Sequence, residues 1–105
     1  MKYGLSDGTI EKIQNVLEGF PEVEKAVLYG SRAKGNYRPG SDIDLTLFGT
    51  ELDQQRCSAI AEALDDLLLP YTIDLSVFDQ LRHPALEAHL ARVGQVFYQR
   101  KTGNA

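Results

Sequence analysis

Three aspartates carry the chemistry legible in this chain of 105 residues. Asp42 and Asp44 stand two residues apart in SDIDLTLF, and Asp74 takes the matching place in YTIDLSVF; the two segments share the frame I-D-L-[TS]-[LV]-F. Side chains alternate along a strand, so Asp42 and Asp44 fall on one face while Ile43, Leu45 and Leu47 fall on the other. With a rise of roughly 3.3 Å per residue, the two Cα atoms are about 6.6 Å apart. Unit charges at that distance repel by about 2.5 kcal/mol at an effective dielectric near 20. A lone D-x-D that opens a strand escapes this repulsion by pointing into water. Here a third carboxylate recurs in the same frame, and a Gly30-Ser31 step with nearby bases precedes the pair.

Such a cluster is tolerable if one member is protonated, if bases neutralise it, or if a divalent cation sits among its members. Oxygen-only ligands, with no His or Cys cluster beside them, suit Mg²⁺ or Mn²⁺ rather than zinc. A hard cation held by a few carboxylates commonly completes its shell with substrate phosphates. Gly30 and Ser31 supply the complementary half. A glycine at a strand end lets backbone N–H groups approach an anion, and a serine hydroxyl can donate to a phosphate oxygen. A short helix beginning at Ser31, in SRAK, would add its N-terminus. Arg32 and Lys34 either reach phosphates or serve as solubilising surface charges.

The remaining candidates carry less. His83 and His89 are spaced H-x5-H, which does not put both on one helical face, and are expected to be ordinary helix-end or surface residues. Cys57 is expected to pack within a helix, and Tyr29, Phe48 and Phe78 to lie in the core. Tyr37 sits in the basic loop, where it could touch a nucleotide. Asp65 and Asp66 are expected on a solvated helix face.

The elements that must position these residues follow from local patterns. Ser6 caps a helix carrying Ile10, Ile13 and Leu17, stopped by Gly19 and Pro21. Residues 23–30 form a strand, and RPGS a turn on Pro39 and Gly40. Residues 42–48 alternate most cleanly of all. Thr50 or Asp53 caps a helix through Leu68, with Ile60, Leu64, Leu67 and Leu68 inward, and Pro70 ends it. Residues 71–78 form a third strand. Pro84 opens a last helix through Leu86, Leu90 and Val93 to Gly94. GQVFYQR adds a short edge strand, and KTGNA frays. The sum is one α/β (α+β) domain over residues 1–105, a small mixed sheet of three to four strands with flanking helices. The helix between the two I-D-L segments makes a β-α-β crossover, which sets those strands parallel and brings Asp44 and Asp74 to one face.

Composition narrows the function classes. The apolar share of 43% and charged share of 25% are ordinary for a soluble globular protein. A net charge of −4 disfavours direct nucleic-acid binding, which needs clustered Lys and Arg to neutralise phosphates. A single cysteine rules out a disulfide framework, and no apolar run reaches the length of a leader peptide or membrane span. These features lead us to expect a soluble cytoplasmic protein with no membrane partner.

The arrangement G-S-x10-D-x-D, with a third Asp on a later strand, resembles the polymerase-β-like nucleotidyltransferase superfamily. VLYGSRAKG…YRPGSDIDLTL is more closely similar to the minimal nucleotidyltransferases, which consist of the catalytic core alone. The motif region runs from Val27 to Leu47, and the order of elements is compatible over most of the chain. The resemblance implies that Asp42 and Asp44 hold two Mg²⁺ ions, one on a nucleoside triphosphate and one on an attacking hydroxyl. Asp74 would bind the catalytic metal and assist removal of the hydroxyl proton, while Gly30 and Ser31 hold the triphosphate. The implied reaction is in-line attack on the α-phosphorus with loss of pyrophosphate, moving AMP from ATP. It also implies a small helical HEPN-domain partner, paired as toxin to this antitoxin, which is either modified or masked by binding. Self-association is left open. A competing match is D-x-D-x-T of haloacid-dehalogenase-like phosphatases, with Asp42 as nucleophile and Asp44 as acid/base. There an aliphatic strand precedes the first Asp, whereas here NYRPGS precedes it and the aliphatics follow.

Overall fold

In the computed structural model, which describes residues 1–78 and 84–101, the Ser6 side chain accepts the Thr9 N–H at 3.1 Å and caps helix α1, Asp7–Glu18. Strand β1, Lys25–Tyr29, runs directly into the short helix α2, Gly30–Lys34, and strand β2 follows at Ile43–Phe48. Asp53, rather than Thr50, caps α3, Gln54–Asp65, by accepting the Arg56 N–H at 2.8 Å. Strand β3, Ile73–Val77, helix α4, Pro84–Val93, and strand β4, Gln95–Gln99, complete the order. The sheet runs β3-β2-β1-β4, mixed as expected: β2 and β3 are parallel, while β1 is antiparallel to both β2 and β4. Among the described residues, no helix is long and apolar enough to cross a membrane.

One face of the sheet carries the core. Ala26, Leu28, Ile43, Leu45 and Leu47 are fully buried in a cluster with Ile13 and Leu17 of α1 and Ile60 of α3. Cys57 packs there too, and burial pushes its thiol pKa up. Asp65 and Asp66 are exposed as expected. The expectations for His83 and for residues 102–105 lie outside the described residues.

Helix α3 ends earlier than the pattern suggests. The Leu67 and Leu68 N–H groups bond back only three residues, to the carbonyls of Leu64 and Asp65, and Leu68 adopts a left-handed backbone with φ 55°. That tight exit turns Leu68 outward, 87% exposed, while Leu67 packs at the core margin. Phe48 and Phe78 are half-buried on the opposite face from the core, stacked at 4.6 Å.

Arg32 is the second departure. It is neither a surface charge nor free to meet a phosphate: the residue is 2% exposed. Its Nε and Nη2 donate to the Ser41 carbonyl at 3.1 and 2.9 Å, Nη1 to the Tyr3 carbonyl at 2.8 Å, and Nη2 also to the Pro39 carbonyl at 3.3 Å. Tyr37 and Tyr71 flank the guanidinium, with ring centres 5.3 and 4.9 Å away. Tyr37 therefore packs on Arg32. Gly4, at φ +72°, comes so close that a Cβ would strike Tyr37 and Arg32. One planar cation thus ties α2, the RPGS turn and the N-terminal turn together, and Ser41 hands its position on to Asp42.

Arg32→Met and Arg32→Lys should each lose about 3 kcal/mol or more of stability, since several charge-assisted bonds are removed and an ammonium lacks the planar fork. Urea denaturation followed by circular dichroism checks this; a Lys variant as stable as the wild type would contradict it.

Candidate active site

The parallel pairing of β2 with β3 sets Asp44 directly beside Asp74, in register with Ile43 beside Ile73 and Leu45 beside Leu75. On the other side, the antiparallel register sets Tyr29 beside Asp44. Paired residues share a face, so Tyr29, Asp44 and Asp74 form a row across three strands, about 4.8 Å from strand to strand. Asp42 precedes the first residue of β2 and lies on the same face. The pair therefore opens its strand, the reverse of the placement a haloacid-dehalogenase-like nucleophile needs.

Gly30 follows Tyr29 at the end of β1 and has a left-handed φ of +75°. A Cβ there would run into the Asp44 carboxylate, so glycine is required both for its backbone and for this close approach. Ser31 is half-buried in the first turn of α2. The structure sets Asp44 beside Asp74, the Gly30 backbone against Asp44, and Asp42 within electrostatic reach of Asp44, while Ser31 follows Gly30 in α2. Lys34 is exposed, and Arg32 and Tyr37 are engaged with each other.

Asp42 and Asp74 are exposed, whereas Asp44 is half-buried. Among the described residues, none of the three carboxylates forms a hydrogen bond or an ion pair. Burial, then the charge of Asp74, then that of Asp42, raise the pKa of Asp44; His89 opposes the rise. The three carboxylates are paired with no cation among the described residues, and this oxygen-only donor set fits a hard divalent cation. As the side chains stand, no three His, Cys, Asp or Glu among the described residues form a ready-made ligand group. Magnesium does not need one, because it usually takes one or two carboxylates and fills its shell with water and substrate phosphate.

Two residues of this face were not expected here. Tyr29 is half-buried among the acids; burial raises its hydroxyl pKa most, Ser76 pulls the other way, and the charges of Asp74 and Asp44 add to the rise. His89, expected at a surface, reaches from α4 to accept the Gly30 N–H on Nε2 at 3.2 Å. Its ring meets that of Tyr29 edge-on, at 6.0 Å and 87°. The spacing to His83 held no hint of this, because the partner of His89 is a backbone group on another element. A separate pocket of about 300 Å³, lined by Glu24, Lys25, Phe48, Gln99 and Arg100, lies at the other end of the sheet and contributes nothing to the site.

The raised Asp44 pKa fixes the sign of a stability effect. The native state holds this proton more tightly than the unfolded chain, so stability falls as pH rises from about 3.8 through the raised value. Asp44→Asn should therefore raise the Tm at pH 7 by about 1–3 °C, the exposure of the site keeping the gain small. The gain should vanish at pH 3, where the wild-type carboxyl is also neutral. Mg²⁺ should raise the wild-type Tm and leave that of Asp44→Asn nearly unchanged. Gly30→Ala should lose both the Mg²⁺ response and stability. Scanning calorimetry reads all three.

Over residues 11–103 the chain matches the family described as Polymerase beta, Nucleotidyltransferase. Among solved structures it is similar to a toxin–antitoxin complex with AMP-PNP, at 22% identity over 88% of this chain and 74% of that one, TM-score 0.70. It is also similar to the toxin–antitoxin MntA–HepT, at 20% identity over 90% and 74%, TM-score 0.66. A third is a tri-AMPylated Shewanella oneidensis HEPN toxin in complex with an MNT antitoxin, at 19% identity over 91% and 74%, TM-score 0.67. Identities at this level speak for the fold. No curated protein is significantly similar. The family match takes in Gly30, Ser31 and all three aspartates, and with the mixed sheet that aligns them it shows that the chain belongs to the polymerase-β nucleotidyltransferase family.

Proposed function

We propose that this protein transfers AMP from ATP to a hydroxyl group on a small helical HEPN-domain protein, with release of pyrophosphate. The observation that carries the reading is the register of Asp44 with Asp74 beside the Gly30-Ser31 step. Asp42, Asp44 and Asp74 would hold two Mg²⁺ ions, or Mn²⁺ in their place, and this metal, when bound, neutralises polyphosphate charge and polarises the reacting oxygens.

The chain's own groups divide the remaining work. The Gly30 N–H and the Ser31 hydroxyl donate to phosphate oxygens and fix the triphosphate. Asp74 lies on the edge strand β3 and is exposed, so it can meet a hydroxyl brought by a second protein. It takes that hydroxyl's proton as the new bond from oxygen to the α-phosphorus forms. The bond from the α-phosphorus to the bridging oxygen breaks in line, and its electron pair leaves with pyrophosphate. Positioning and charge neutralisation do the catalysis, with no covalent enzyme intermediate. The ATP and HEPN assignments draw support from the AMP-PNP complex and from the tri-AMPylated HEPN toxin among the similar structures. That these structures are toxin–antitoxin complexes also favours a second reading, in which binding alone masks the partner.

Incubation with α-labelled ATP, Mg²⁺ and a HEPN-domain partner separates the two. The wild type should label the partner, and Asp44→Asn should lose at least about 100-fold in rate while the complex still elutes intact from a sizing column. An unlabelled partner in an intact wild-type complex would leave masking as the function. Labelling from GTP, CTP or UTP in preference to ATP would overturn the base assignment.

A further inference from the structure

His89 occupies the donor that the nucleotide site needs. The Gly30 N–H has one strong hydrogen bond to give, and in this structure Nε2 of His89 receives it at 3.2 Å. In this contact the Nε2 lone pair is the acceptor. The edge-on contact with Tyr29 holds the ring over the end of β1, beside the row of acids. A phosphate oxygen binding at Gly30 has to approach the same hydrogen. Both cannot have it.

From this geometry, and resting on the nucleotide reading above, we infer that His89 competes with the triphosphate for the Gly30 N–H and must leave it for nucleotide to bind. The helix that carries His89 suits such a role. Helix α4 contains no fully buried residue; Leu86, Leu90 and Val93 are only half-buried, so shifting the His89 ring disturbs little of the core. The contact gives the Gly30 N–H an acceptor when no nucleotide is bound. It also lowers nucleotide affinity by the strength of one hydrogen bond.

Calorimetric titration with α,β-methylene ATP and Mg²⁺ tests this on the full chain, because the analogue binds without transfer. His89→Ala should bind about 3- to 10-fold more tightly than the wild type. His89→Gln, which can present an acceptor near the position of Nε2, should return towards wild-type affinity. A residue that only supported the fold would give the opposite sign on removal. In the wild type itself, the Gly30 amide and His89 Nε2 resonances should both move on adding the analogue, with the coupling between them lost; this holds whether or not the alanine variant folds. Equal or weaker binding by a folded His89→Ala, or a His89–Gly30 bond that persists in the saturated wild type, overturns the competition and leaves the nucleotide reading standing. Absence of binding by the wild type and both variants overturns the two together.

Discussion

Asp44 and Asp74 stand side by side because of what lies on the far side of the sheet. Ile43, Leu45 and Leu47 are fully buried and Val77 is nearly so, which sets the register of β2 against β3. A slip of one residue would turn the aspartates into the core and the aliphatics into water. Each buried aliphatic is worth roughly 1.5–3 kcal/mol, so the three of β2 outweigh a carboxylate repulsion of about 2.5 kcal/mol. The acids are held where they would not settle by themselves. Burial first, and then the charges of Asp74 and Asp42, raise the Asp44 pKa there.

The strongest cation nearby is withheld from that cluster. Arg32 spends its donors on the carbonyls of Tyr3, Pro39 and Ser41, and its faces on Tyr37 and Tyr71. An arginine paired with Asp44 would neutralise the charge of the cluster. Committed instead to main-chain acceptors, the guanidinium fixes the approach to Asp42 without cancelling the charge. Gly30 plays the matching part on β1, bringing the backbone against Asp44 where any side chain would intrude.

The two faces of the sheet are unequal in packing, and the chemistry sits on the looser one. The core face presses β1 and β2 against α1 and α3. The other face carries the acids, Tyr29 and the stacked Phe48–Phe78 pair, with α4 laid over the end of β1 by half-buried side chains. Displacing a fully packed helix would cost core contacts, whereas α4 contributes no fully buried residue. Asp74, on the edge strand β3, is exposed as well.

Whatever depends on neighbours along the chain was legible from residue types. The alternation in DIDLTLF, the repeated I-D-L frame, the Ser6 cap and the Pro84 start are local periods, and each became the element it announced. The register of Asp44 with Asp74 was readable for the same reason: the echo matches their positions, and a β-α-β crossover leaves the matching strands parallel. What only the folded chain decided involves partners far apart in sequence. Arg32 looks like any loop cation until Tyr3 and Ser41 offer it their carbonyls; Leu68 looks inward-facing until the chain reverses; His89 looks idle until α4 folds back onto Gly30. Backbone carbonyls and N–H groups are the same at every position, so no residue type marks which of them a distant side chain will meet.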